Sequence, residues 1–304
     1  MKNRNKIGIL GGDMRQLALA ALFAGEGYEC ALWGVACGAA DAVTTQLYET
    51  SVRCVDWKDV LSGADAVILP LPLTTDGVRL NCGAGRTCET PQDLRLTEII
   101  QNTDRSTVLF AGRIPAGIGR LASEHRVRMI DYYEAEDFQI KNAVPTAEGA
   151  IALAIDEMNI TLAGAEAAVA GYGRIGRTLA QRLVALGAHV TCVARSRRDL
   201  AFSECDGCRA LPLSDFTVAS SDFDVIFNTV PHIIFDGNVL SRLRRDTLII
   251  DLASMRGGVD LAEAERLGIR VLKALSLPGR TAPATAGHII YDTVRTIMRE
   301  EGIL

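Results

Sequence analysis

No apolar run in this 304-residue sequence approaches the roughly 18 residues that a membrane-spanning helix needs. The apolar stretch near its start, Ile7 to Leu10 behind the bases of MKNRNK, is shorter than the roughly 7 to 15 residues of a secretory signal core. Together these absences predict a cytoplasmic chain with no membrane contact. There is no basic stripe either. Acids and bases interleave around a net charge of -5, so the charge that would neutralise a nucleic-acid backbone is missing and nucleic acid is not an expected partner. Eight cysteines without an export signal read as reduced thiols. Cys205 and Cys208, in ECDGC, have no second pair at ligand spacing beside them, so we expect no metal site and a solvent-side loop carrying two free thiols.

What is present is ordinary globular composition, 48% hydrophobic and 23% charged, over a length that suits two domains at about 150 residues each. The informative stretch is AGYGRIGRTLAQRL, residues 170 to 183, where Gly171, Gly173 and Gly176 fall in a G-x-G-x-x-G pattern. Its surroundings give the pattern weight. Ala167 to Ala170 reads as a short buried strand, Ile175, Leu179, Leu183 and Leu186 repeat at helical spacing, Gly187 stands where a helix ends, and HVTCVA, 189 to 194, reads as the next strand. In such a unit the first glycine makes the tight turn, the second lets backbone approach a pyrophosphate, and the third lets helix and strand pack closely. The helix N-terminus, here Arg174 and Ile175, points its first N–H groups at the anion.

The end of the second strand separates NAD from NADP, because an acid there holds the ribose 2′-hydroxyl and repels a 2′-phosphate. Here the segment is ARSRRD, with Arg195 standing 19 residues after Gly176. Arg195, Ser196 and the nearby Arg197 or Arg198 suit a phosphate, so NADP is the expected cofactor and NAD the second choice. Thr229, Val230 and Pro231, after a third strand, and Ser254, after a fourth, are expected to line the same site.

Shifting the sequence by 160 positions lays Gly11 on Gly171 and Gly27 on Gly187. Further on, ADAVILPLP (64–72) lies against FDVIFNTVP (223–231), and TVLFAG (107–112) against TLIIDLAS (247–254). The expected fold is therefore α/β, with two Rossmann-type, doubly wound parallel-sheet domains linked by long helices. Residues 1–145 with a returning C-terminal helix, 283–304, would make the first domain, and 146–282 the second. The linking helix is expected over 145–159, and the substrate in a cleft between the halves. In the first copy Asp13 and Gln16 replace the second and third glycines, so it is expected to keep the fold without the nucleotide and to serve the substrate. PLPLTTDG, FAGRIP and DYYEAED lie at its strand ends, and Thr74, Thr75 and Arg113 are the candidates to hold a carboxylate.

The ordered set GILGGDMRQ, PLPLTTDG, VPTAEGA, AGYGRIG, IDLAS and LPGRTAPATAGHII resembles the A subunits of dipicolinate synthase over nearly the whole chain, and more broadly the two-domain D-2-hydroxyacid and alanine dehydrogenases. The resemblance implies a sporulation enzyme that works with a flavoprotein-like B subunit. That enzyme takes a hydroxy-tetrahydrodipicolinate, a small dicarboxylate, to the aromatic dipicolinate by loss of water and two hydrogens, and the resemblance further implies a homo-oligomer. The family has Arg-Pro-Gly-Gly after IDLAS, whereas here Arg256 follows Ser254 and Met255, one residue later. Arg256 and Ser254 remain candidates to touch substrate. A 2-hydroxyacid dehydrogenase is the alternative enzyme, since RGGVD (256–260) resembles its arginine-glycine segment, although no Glu and His follow in its order. A non-catalytic protein that senses NADP or serves as a scaffold is the alternative of another class. His232, beside Val230-Pro231, and His288, on the last helix, are the histidine candidates for proton transfer, with a core or hinge role as the alternative for His288.

Overall fold

Short runs of small and β-branched residues form the strands in this computed structural model, which describes residues 6–35, 52–82, 94–219, 222–253 and 257–303. The first sheet contains β1 (Lys6–Leu10), β2 (Glu29–Trp33), β3 (Val52–Cys54), β4 (Ala66–Ile68), β5 (Val108–Ala111) and β6 (Arg128–Asp131), in the order β3-β2-β1-β4-β5-β6. The second contains β7 (Glu166–Ala170), β8 (His189–Ala194), β9 (Arg209–Pro212), β10 (Val225–Asn228), β11 (Leu248–Asp251) and β12 (Arg270–Lys273), in the order β12-β11-β10-β7-β8-β9. Every pairing is parallel. In each sheet the strand order reverses beside the first strand, between β1 and β4 and between β7 and β10. Open parallel sheets bind ligands at the carboxyl ends there.

Two compact units divide the chain, Met1–Lys141 with Ala282–Leu304, and Asn142–Thr281. Each buries apolar clusters on both faces of its sheet. Ala66 and Ile68 of β4 enter one cluster while Val67 enters the other, and Val225 and Phe227 of β10 are likewise split from Ile226. Burial on both faces is why these strands read as unbroken apolar runs.

The internal repeat holds at the level of elements. The helix Met14–Gly25 and the helix Arg174–Ala185 start and stop 160 residues apart, as do β1 and β7. The glycines that end these helices share the left-handed backbone, with φ of +90° at Gly27 and +84° at Gly187.

The linking helix differs from the expectation. It runs Glu136–Glu157, 22 residues, with Pro145 inside it rather than at its start. Glu136 and Asp137 sit in its first turn, where acids complement the helix dipole, and Phe138 is fully buried against Tyr132 and Tyr133 at ring distances of 5.6 and 5.9 Å. Pro145 has no N–H to give the carbonyl four residues back, that of Lys141, and the division into two units falls at Lys141. No helix of the described residues is long and apolar enough to cross a membrane.

The C-terminal helix, Pro283–Glu300, lies in the first unit and packs on the helix Met14–Gly25. Gly287 marks the crossing, since a Cβ there would lie 2.5 Å from the Arg15 carbonyl oxygen and 2.7 Å from the Ala18 Cβ. Gly287→Ala gains roughly 1 kcal/mol of helix propensity but forces two backbones apart, and overpacking costs roughly 1 to 3 kcal/mol, so the clash wins. We expect the variant to unfold at lower temperature than the parent by calorimetry. An unchanged or raised midpoint contradicts this packing.

Candidate functional site

The carboxyl end of β7 turns into the helix Arg174–Ala185 through three glycines with separate roles. Gly171 has φ of +91°, and a Cβ on it would meet the Thr229 Oγ1 at 2.4 Å. Gly176 has no room for a side chain, because its Cβ would stand 2.0 Å from the Gly171 carbonyl oxygen. Gly173, the residue before the helix, is the opposite case, with no atom within 4 Å of the position a Cβ would take. The turn is thus closed on its protein side and open at Gly173, as an approaching phosphate requires.

Between the glycines Tyr172 is buried, and its hydroxyl donates to Asp206 at 2.5 Å, while the Arg177 Nε donates to the same carboxylate at 2.9 Å. These contacts tie the glycine turn to the ECDGC segment. Donation from Tyr172 lowers the Asp206 pKa, with Gln181 and Arg177 adding to the effect. Cys208 departs from the solvent-side expectation: it is buried in the apolar cluster with Cys192, while Cys205 is exposed. The hydrogen bond to Cys208, followed by burial, raises the Cys192 pKa and keeps that thiol protonated.

A cavity of about 680 Å³ opens over this turn, lined by Gly171, Tyr172, Arg195, Ser196, Val230 and His232 among others. That volume lies within the range of roughly 300 to 1,000 Å³ typical of small-molecule and cofactor sites. Five of the sequence candidates therefore meet at one place: Gly171, Arg195, Ser196, Val230 and His232. Arg195 is exposed at its rim, and Ser196 caps the helix Arg197–Cys205 by accepting from the Asp199 N–H at 3.4 Å. Arg197 is exposed on the same helix but does not line the cavity, and Arg198 lies over the Phe202 ring at 5.5 Å. Asp199, an acid that its place inside the arginine-rich ARSRRD run obscures, is also in the lining.

Below the cavity a buried polar pair sets the strand ends. Asn228, closing β10, donates from Nδ2 to the Asp251 Oδ1 at 2.8 Å and to the Val230 carbonyl at 3.1 Å, and its Oδ1 accepts from the Val230 N–H at 3.0 Å. Asp251, closing β11, also accepts from the backbone N–H groups of Ala253 and Gly258, both at 3.2 Å. Asn228 is 0% and Asp251 2% exposed, so neither can turn to water instead. Thr229 is held from its other side, its hydroxyl donating to the Ala170 carbonyl at 2.8 Å. Gly258 is pressed on this pair, since a Cβ there would lie 2.0 Å from the Asn228 Nδ2. Polar residues at the ends of buried strands, in VIFN and LIID, were the available signal. Pro231 is exposed beside the cavity, and Ser254 and Arg256 lie outside the described residues.

The corresponding turn of the first unit is shut by its own chain. The Gly12 N–H donates to the Asn81 carbonyl at 2.8 Å, and Leu80 lies 2.7 Å from the place of a Cβ on Gly11. Asp13 caps the helix by accepting from the Arg15 N–H at 3.0 Å, and the Gln16 Oε1 accepts from the Asp13 N–H at 3.0 Å. The N–H groups of Asp13, Arg15 and Gln16 thus have their partners inside the protein. Arg15, 4% exposed, pairs with Asp13 at 2.8 Å and donates to the Leu71 carbonyl at 2.6 Å.

Of the residues expected to hold substrate, Thr74 gives its hydroxyl proton to Asp76 at 3.1 Å and accepts from the Gly77 N–H at 3.0 Å, so it shapes its own loop. Donation from the Arg79 and Val78 N–H groups holds the Asp76 carboxyl down at about 2. Thr75 is exposed on that loop. Arg113 is half-buried at the end of β5 with a left-handed φ of +60°. His288 belongs to this first unit and is exposed, its Nδ1 3.5 Å from Asp292, so it is not a core histidine. Among the described residues no group of three metal-ligating side chains is assembled.

Comparison with known proteins matches the two halves of the chain to different profiles. The profile for the N-terminal domain of the dipicolinate synthase A subunit matches residues 6–133, and one described as the NAD binding domain of D-isomer specific 2-hydroxyacid dehydrogenases matches 139–263. The chain is similar to the A subunit of dipicolinate synthase from Bacillus subtilis, 33% identical over 299 residues that cover 97% of this chain and 96% of the relative. The crystal structure of the dipicolinate synthase A subunit from Bacillus halodurans superposes with a TM-score of 0.83 at 30% identity, over 98% of this chain and 99% of that one. That of the Bacillus subtilis protein gives 0.81 at 30% identity, over 99% and 97%.

The buried pair under the cavity is open to test. Asn228→Ala removes three hydrogen bonds and leaves the Asp251 carboxylate short of a donor in a dry site, at a cost of roughly 1 to 3 kcal/mol. We expect a lower urea midpoint together with weaker nucleotide binding, measured by fluorescence titration. Parent-like values of both contradict the assignment.

Proposed function

The chain belongs to the family of dipicolinate synthase A subunits and is an NAD(P)-dependent oxidoreductase, and from that premise we propose that it oxidises a hydroxy-tetrahydrodipicolinate to pyridine-2,6-dicarboxylate with NADP, as a cytoplasmic step of sporulation. The observation that carries the reading is the meeting of Gly171, Arg195, Ser196, Val230 and His232 around one cavity at the carboxyl ends of the second sheet. In balance, the substrate ring loses one water, one hydride and one proton to become aromatic. The nicotinamide, when bound, is the hydride acceptor.

The residues supply the rest. The Gly171–Gly176 turn, open at Gly173, and the first turn of the helix at Arg174 and Ile175 offer backbone N–H groups to the pyrophosphate. Arg195 and Ser196 offer a cation and a hydroxyl to the 2′-phosphate, with Arg197 exposed on the helix that Ser196 caps, outside the cavity lining. Thr229 and Val230, fixed by Ala170 and Asn228, keep the floor in place for the nicotinamide end. His232 is the one imidazole of the described residues in the cavity wall, and we assign it uptake of the proton released with the hydride. On the first unit Arg113 is the carboxylate anchor, because a planar guanidinium fork matches a ring carboxylate. The acid-base work of dehydration falls to a separate B subunit, a division of labour supported by the relative being named as one component of a larger synthase.

A charge-assisted contact to the 2′-phosphate is worth roughly 1.5 to 3 kcal/mol, about ten- to a hundredfold in affinity, so NADP should bind more tightly than NAD by that ratio. Arg195→Asp should erase the preference in calorimetric titrations, and equal affinities in the parent chain would remove NADP from the proposal. The reaction itself is tested with purified chain, NADP and the hydroxy-tetrahydrodipicolinate. Product absorbance should rise slowly with the chain alone and over tenfold faster once the B subunit is added. A chain that matches the mixture unaided needs no partner, and one that yields no dipicolinate under either condition overturns the reaction.

A further inference from the structure

The arginines of ARSRRD do not gather on one face of the cavity over the glycine turn. Arg195 stands in its lining, Arg197 is exposed outside it, and Arg198 lies over the Phe202 ring at 5.5 Å. The acid of the same run is inside, for Asp199 lines the cavity together with Arg195 and Ser196. A segment with three cations and one anion in sequence therefore gives the cavity wall one guanidinium and one carboxylate.

Local structure explains how Asp199 comes to be there. Ser196 caps the helix Arg197–Cys205, and its Oγ accepts from the Asp199 N–H at 3.4 Å. This contact uses the Ser196 oxygen and leaves the hydroxyl proton for another acceptor. An acid in a first turn complements the helix dipole wherever the helix stands, so the residue type alone carries no functional weight. Two further observations do. Asp199 is half-buried in the cavity wall, whereas Arg197 and Arg198 beside it are exposed. No ion pair or hydrogen bond engages its carboxylate among the described residues, so neither Arg195 nor Arg198 neutralises it. A phosphate brought to Arg195 and Ser196 enters the field of that carboxylate. In a half-buried wall, repulsion across a few ångströms is of the same order as the attraction of one guanidinium.

We propose that Asp199 is a specificity-determining residue of the cofactor site, whose carboxylate repels the ribose 2′-phosphate and holds the preference for NADP below what Arg195 and Ser196 would give alone. The inference rests on the reading that Arg195 and Ser196 receive the 2′-phosphate. NAD carries an uncharged hydroxyl at that place, so Asp199 narrows the gap between the cofactors from the NADP side only. It puts the unaltered chain near the lower end of the expected preference, at about tenfold.

The experiment measures the dissociation constants of NADP and NAD for the full chain by calorimetric titration at low salt. Asp199→Asn keeps the size of the side chain and removes its charge. It should tighten NADP by about three- to tenfold, the scale of one unit charge acting on a nearby phosphate, and change NAD by less than about twofold. Damage to the helix would weaken both cofactors, so a gain confined to NADP is a readout that a merely structural role does not produce. At about 0.5 M potassium chloride, where charges are screened within a few ångströms, the gain should largely vanish. NADP affinity that is unchanged or weaker in Asp199→Asn, both cofactors tightened alike, or a gain undiminished by salt each overturns the assignment. The phosphate reading is judged separately, by whether Arg195→Asp erases the preference of the parent. Equal affinities in the unaltered chain end that reading and this inference with it. Should Asp199→Asn fail to fold, Asp199→Ser, which also removes the charge, decides by the same criteria.

Discussion

The contact on which the nucleotide half depends is that of Gly176 with the Gly171 carbonyl oxygen, where even a single methyl would stand 2.0 Å away. Because the helix Arg174–Ala185 can come this close to the end of β7, its first N–H groups face the open side of the turn instead of standing off behind a side chain. The same approach brings Thr229 against Gly171, and so fixes where the strand end of β10 meets the turn. The cavity is lined by Gly171 and Tyr172 of the same turn, and the neighbouring Gly173 has no atom within 4 Å of the place of a Cβ. Close packing on one face and vacant space on the other are two consequences of the same three residues.

The first unit shows what happens to the identical architecture when that contact is given up. Its sheet order and its helix, 160 residues earlier, are those of the second unit. Gln16 stands in place of the third glycine and is fully buried, its Oε1 turned to the Asp13 N–H. A further donor on that turn, the Gly12 N–H, is taken by the Asn81 carbonyl. Two closures, one by side chain and one by backbone, leave the fold intact while filling the place that the second unit keeps open.

Much of this was readable from the residues. The glycine pattern, its flanking strands, the 160-residue repeat and the last helix all follow from local spacing, because each is a periodic or near-neighbour property of the chain. The features that were not readable depend on pairs far apart in sequence. Asn228 and Asp251 are 23 residues apart and look like two ordinary polar ends of strands until the sheet sets them side by side. Asn81 closes the Gly12 turn with a backbone carbonyl, which carries no residue signature at all. The start of the linking helix was hidden by Pro145, a residue that locally signals a helix beginning but is tolerated here inside one. Thr74 shows the complementary error, a plausible ligand by type whose hydroxyl is spent on Asp76 two residues away.

That last pattern separates residues that serve a loop from residues that a loop serves. Thr74 and Asp76 satisfy each other and the backbone between them, and the geometry they fix is their own. Asp131 spends its carboxylate on the N–H groups of Arg113, Ile114 and Tyr133 instead, holding the strained backbone of a residue at the end of the neighbouring strand. A left-handed arginine costs roughly 1 to 3 kcal/mol, and at a purely structural position glycine or asparagine would remove most of that cost. At Arg113 the cost is met by the three N–H groups gathered on one carboxylate across the strand ends, whereas the Thr74 loop holds only itself.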